Sequence, residues 1–91
     1  MQQEENQYYV TSGVNNIVPP VVIMLMMEMA KKVEVKDYLQ VFRITPDNEF
    51  SILKLTQEVP VYERSIKISW IPEHDLKLFL MDNVLMLAEE Y

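Results

Sequence analysis

His74, the chain's one histidine, stands between Glu73 and Asp75, three residue types able to ligate a metal ion or move a proton. Metal sites, however, gather their ligands from separate ordered elements, and neighbours in a loop have no reason to converge. The four serines, Ser12, Ser51, Ser65 and Ser69, fall in no nucleophile-elbow pattern. Glu58, Glu63, Glu89 and Glu90 could supply a carboxylate pair, but glycosidase work needs two carboxyls facing each other across a sugar. Solvated strand faces account for these acids more simply. The single glycine, Gly13, supports no phosphate-cradling loop, and the absence of cysteine removes thiolate metal sites and disulfides together. These residues point to a protein that is not an enzyme and carries no cofactor or metal.

The elements that would position such residues follow from hydrophobic period and turn chemistry. Residues 1–6 are polar and are expected to be a disordered N-terminus, with 7–91 forming a single α+β domain. Tyr8 to Thr11 has strand character, and Ser12-Gly13 reads as a turn or bulge using the glycine's access to positive φ. Asn15 and Asn16 ahead of Pro19-Pro20 announce a helix running to about Val33, with Glu28 and Lys32 spaced for an i,i+4 pair. From Asp37 the period becomes that of strands. Tyr38 to Ile44 is followed by a turn at Thr45-Pro46-Asp47-Asn48, and Phe50 to Gln57 returns antiparallel. After Val59-Pro60, Tyr62 to Trp70 places Tyr62, Ile66, Ile68 and Trp70 on one face, with Glu63, Ser65, Lys67 and Ser69 on the other. Leu76–Met81 and Val84–Ala88 form a hairpin through Asp82-Asn83, a pair suited to a type I′ turn. The expected fold is α+β: one N-terminal helix packed on a mainly antiparallel sheet of about five to six strands, β-α-β-β-β-β-β, built from sequential hairpins.

The net charge of −6, from 14 acidic and 8 basic side chains, argues against direct nucleic-acid binding. The start of the chain has neither the basic nor the apolar character of a signal peptide. The apolar run Val21–Met27 stops at Glu28, well short of a bilayer's thickness, so a cytoplasmic protein with no membrane contact is expected. That run is the chain's most apolar stretch. Methionine adapts to irregular partners, so Met24, Met27 and Met29 are candidate interface residues for another protein or a second copy of this chain. The competing assignment puts them in the core. The acidic excess suggests an alternative function: inhibition of a nucleic-acid enzyme or host defence system by a surface that imitates DNA.

Four blocks taken together, Tyr9-Val10-Thr11-Ser12-Gly13-Val14, Asp37-Tyr38-Leu39-Gln40-Val41-Phe42, Gln57-Glu58-Val59-Pro60-Val61-Tyr62 and Met86-Leu87-Ala88-Glu89-Glu90-Tyr91, carry a resemblance. In order and spacing they resemble a family of short proteins from Gram-positive bacteria, staphylococci above all, known as the domain-of-unknown-function family numbered nine hundred and sixty. The chain departs from that family in a helix richer in methionine and in a tighter final hairpin at Asp82-Asn83. The resemblance implies an intracellular bacterial protein, of phage or mobile-element type, and it transfers no activity and no site residues.

Overall fold

Thr11 fixes the first helix, because its side-chain oxygen accepts the Val14 N–H at 3.2 Å and so satisfies a free donor of the opening turn. A computed structural model describes residues 7–91; the disorder expected of 1–6 lies outside the described residues. Strand β1 (Tyr9–Val10) leads into α1 (Ser12–Ile17), which ends where Val18 turns extended at φ −101°, ψ 128°. Helix α2 (Pro20–Lys31) starts afresh after Pro19, at ψ 148°. The single helix expected here is therefore two helices. A residue that precedes proline is driven out of the α region, and both Val18 and Pro19 precede one. Ser12-Gly13 belongs to the first turn of α1 and not to a bulge, and no glycine has positive φ. The closeness of Gly13 to Glu90 favours a small residue: a Cβ there would stand 2.8 Å from the carboxyl carbon of Glu90, so that side chain would have to move.

Val22, Met26, Met29 and Ala30 form the buried stripe of α2, at the i, i+4, i+7, i+8 spacing of one helix face. The ion pair on its outer side joins Glu28 to Lys31 at 3.9 Å, not to Lys32. Both partners are substantially exposed, so the pair adds little stability.

Five further strands follow: β2 (Leu39–Asp47), β3 (Phe50–Glu58), β4 (Val61–Ile68), β5 (Leu76–Met81) and β6 (Val84–Leu87), then a 3-10 turn at Ala88–Glu90. They form one mixed sheet in the order β1-β6-β5-β2-β3-β4, antiparallel except for the parallel pair β1–β6. The α+β class, the leading helical segment and the mainly antiparallel pairing agree with the sequence reading; the simple chain of adjacent hairpins does not. After β4 the connection at 69–75 carries the chain to the far side of β2, so that β5-β2-β3-β4 is a Greek key. Trp70 packs against the core and Pro72 is buried in that connection, which anchors the crossing by apolar contact. The strand following Tyr38 also runs on through Pro46 to Asp47, so the tight turn is Asn48-Glu49, with Asn48 at φ 62°. Pro46 is tolerated because it lies beyond Ile44, the last residue paired with β5. Asp82 and Asn83 both have positive φ, 52° and 63°, as a type I′ hairpin requires.

Helices α1 and α2 cover one face of the sheet. Val14, Val18, Val22, Met26 and Met29 meet Phe42, Ile44, Leu53, Leu55, Leu78 and Leu85, all buried in a single core. Among the described residues, the opposite face of the sheet carries no helix.

Candidate functional site: the open face of the sheet

Side chains alternate across a strand, so each residue buried under the helices leaves its neighbours on the open face. In β2 the core takes Gln40, Phe42 and Ile44, while Leu39, Val41, Arg43 and Thr45 point the other way. Register then aligns the outward residues of neighbouring strands. Arg43 is opposite Lys54 of β3 on one side and Lys77 of β5 on the other, so three cations form one cross-strand row. Lys67 joins the next row, opposite Ile52. The row on the other side of the three cations is Met86, Phe79, Val41 and Thr56, and beyond it lie Val84, Met81 and Leu39, all partly exposed. Half of the chain's basic residues thus stand on the open face of a protein whose net charge is −6.

Like charges directly opposite in a sheet destabilise it. Local contacts relieve the row only in part. Lys54 reaches Glu63 at 3.3 Å, Lys67 lies 4.6 Å over the Phe50 ring, and Lys77 is 5.5 Å from the centre of the Phe79 ring. Arg43 has no carboxylate within ion-pair distance among the described residues. Tyr91 meets Phe79 edge to face at 5.8 Å, which adds an aromatic border. Next to Arg43 and Lys77 the face dips into an open groove of about 490 Å³ floored by Leu39 and Val41, with Asp37 and Glu58 at its far end.

A buried polar knot holds that far end. Gln57 Nε2 donates to the carbonyls of Val35 and Pro60, both at 2.9 Å, and its Oε1 accepts from Gln40 Nε2 at 2.8 Å and from the Asp37 N–H at 3.1 Å. Asp37 Oδ2 in turn accepts the Val59 N–H at 2.9 Å and the Glu58 N–H at 3.0 Å. These backbone donors, Val59 first and then Glu58, hold the Asp37 carboxyl below its ordinary pKa. The knot ties the segment after α2 to the β3–β4 turn and fixes one wall of the groove.

The residues singled out in the sequence are placed elsewhere. Met29 is 4% exposed and belongs to the core, so its candidacy as an interface residue is corrected. Its position on the buried stripe of α2 dictates this. Met27 is half-buried and packs on the core, while Met24 stands out at 66% exposure. His74 is exposed in the 69–75 connection. It shares an open groove of about 620 Å³ with Trp70, Asp75 and Glu89, where the fold brings it near an acid from a distant element. No group of three or more His, Cys, Asp or Glu among the described residues is placed to hold a metal ion. Ser51 Oγ and Tyr8 Oη are buried without hydrogen-bond partners, and desolvation pushes the Tyr8 phenol up in pKa. Ser51 faces the core opposite Pro46 and Ile68, with no base beside it.

Most of the described acids gather at the two ends of the strands, although Glu63 stands within β4 and Glu28 on α2. Asp47, Glu49, Glu73 and Asp75 lie at one end, and Glu34, Asp37, Glu58 and Asp82 at the other. The cation row escaped sequence reading because it is a property of register. Its signal was present as the alternation Leu39, Val41, Arg43, but only pairing with β3 and β5 turns three scattered cations into a line. No helix among the described residues is long and apolar enough to cross a membrane.

No family model matches the chain, and no curated protein does. A crystal structure of a protein of unknown function from Enterococcus faecalis is similar, with a TM-score of 0.75, 18% sequence identity, and coverage of 99% of this chain and 98% of that one. At that identity the likeness establishes the fold alone.

Proposed function

We propose that this chain is a non-enzymatic, cytoplasmic protein-binding module of the Gram-positive family it resembles, and that its open sheet face docks an acidic amphipathic helix of a partner. The observation that carries the reading is the row Lys77–Arg43–Lys54 beside an apolar strip on an otherwise acidic protein. Neighbouring strands are about 4.8 Å apart, and carboxylates at i, i+3/i+4 and i+7 of a helix follow one another at about 5–6 Å. Such a helix lying across the strands would set one acid near each cation and its apolar stripe on Val41, Phe79 and Met86. An acidic ridge also satisfies a row that repels itself in the free protein. The apolar strip of Val41, Phe79 and Met86 beside the cations, which a phosphate backbone would leave uncovered, favours an amphipathic helix over a nucleic acid on the same surface. The acids gathered at the strand ends support this reading over imitation of DNA, which needs a line of carboxylates.

The test is calorimetric titration with a synthetic helical peptide carrying that Glu pattern and a Leu stripe, beside a single-stranded oligonucleotide of equal charge. Peptide binding that weakens at least tenfold in Arg43→Glu, about 1.4 kcal/mol, supports the reading. Binding of the oligonucleotide in preference to the peptide, or of neither, contradicts it.

A further inference from the structure

The sheet ends in two unlike edges. β1 is two residues long, whereas β4 is an eight-residue strand that, among the described residues, pairs with β3 alone, in unbroken register from Val61 to Ile68. A long edge without a bulge is a template for another strand. We propose that this edge is the seam of a homodimer, in which two copies of β4 pair antiparallel about a two-fold axis through Ser65. Glu63 and Lys67 stand at the border of the open face, where Glu63 also reaches Lys54 at 3.3 Å.

The sequence of β4 selects both the partner and the register. A two-fold axis perpendicular to the sheet keeps the helices of both copies on one side and brings residues of the same facing together. Centring the axis on Glu63, Arg64 or Lys67 would oppose each of those charges to its own copy. Centring it on Ile66 would leave Glu63 and Lys67 opposite serines. Centring it on Ser65 places Glu63 opposite Lys67 of the second copy, twice, and Tyr62 opposite Ile68. The same register brings the exposed apolar residues at the two ends of the strand together. Val61, 85% exposed, comes opposite Ser69 of the second copy, with Val59 and Ile71, 73% and 42% exposed, just beyond the paired strands at the same ends. Of these registers, this one alone pairs Glu63 with Lys67, leaving Arg64 opposite Ile66 of the second copy; it closes after two copies and gives a continuous twelve-stranded sheet.

Sedimentation equilibrium over a wide concentration range tests the proposal, with circular dichroism confirming that each variant is folded. The wild type should approach twice its 10.8 kDa mass. Glu63→Lys and Lys67→Glu should each raise the dissociation constant at least about tenfold, because each turns two attractive cross-strand pairs into repulsive ones. An equimolar mixture of the two variants should associate again, and so should the double charge swap, since both restore opposite charges across the seam. A wild type that stays monomeric throughout, association indifferent to either single change, or a mixture that stays monomeric would each overturn the proposal.

Discussion

Replacing Arg43 by glutamate should make the free protein more stable while removing its proposed activity. In the wild type Arg43 faces Lys54 and Lys77 directly. Each like-charged cross-strand pair costs about 0.2–1 kcal/mol, and each opposite pair contributes a similar amount. Reversing both would give roughly 1–3 kcal/mol if nothing else changed. Three things reduce it: Lys54 is already engaged with Glu63 at 3.3 Å, the arginine's aliphatic stem no longer covers the sheet, and all these charges lie near water. A net gain of about 1 kcal/mol remains, worth about 4–8 °C in Tm for a domain of this size. Arg43→Gln removes the repulsion without adding attraction and should gain about half as much. Urea and thermal unfolding at low salt measure the effect. In about 1 M salt, where the screening length falls to roughly 3 Å, most of the gain should vanish. A glutamate variant less stable than the wild type at low salt, or a gain unchanged by salt, would refute the strained cation row.

Other consequences are as specific. Gln57→Leu leaves Gln40 Nε2, the Asp37 N–H and two carbonyls without their partner and should cost about 2–3 kcal/mol in denaturant unfolding. Gly13→Ala must displace the Glu90 carboxylate, whose Oε1 accepts from Thr11 Oγ1 at 2.7 Å and from the Leu87 N–H at 2.8 Å, so a loss of about 1–2 kcal/mol is expected by the same assay. Met29→Glu buries an unpaired charge and should abolish the folded circular-dichroism signal, whereas exposed Met24→Glu should stay within about 0.5 kcal/mol of wild type. Asp37 has a folded pKa below its unfolded one, so its contribution is present above the ordinary carboxylate pKa and is lost as pH falls through the folded value. Acid titrations of stability should therefore be flatter in Asp37→Asn than in the wild type.

Much of the sheet was legible because its signals are local. Alternation put Tyr62, Ile66, Ile68 and Trp70 on one face, the face that packs on the core, and Asp82-Asn83 announced its own turn. What escaped depends on distant pairs. Ser12-Gly13 looks like a turn until Glu90, at the other end of the chain, explains why a small residue belongs in that helix. The strand order turns on where the 69–75 connection lands, and sequential hairpins cannot reveal that β5 returns to β2. The methionines divide by helix rotation: Met26 and Met29 fall on the buried stripe and Met24 does not. Composition pointed to an acidic protein, and it averaged away the cationic row that register assembles on the open face.

Chemical-shift mapping with the acidic helical peptide tests the central claim most directly, because it reads location and not affinity alone. The open-face account requires saturable shifts at Leu39, Val41, Arg43, Lys54, Phe79 and Lys77, with Met24 and the His74 groove unmoved and with the shifts lost in Arg43→Glu. Shifts confined to α2 or to the groove beside Trp70, or no shifts at all, would contradict it.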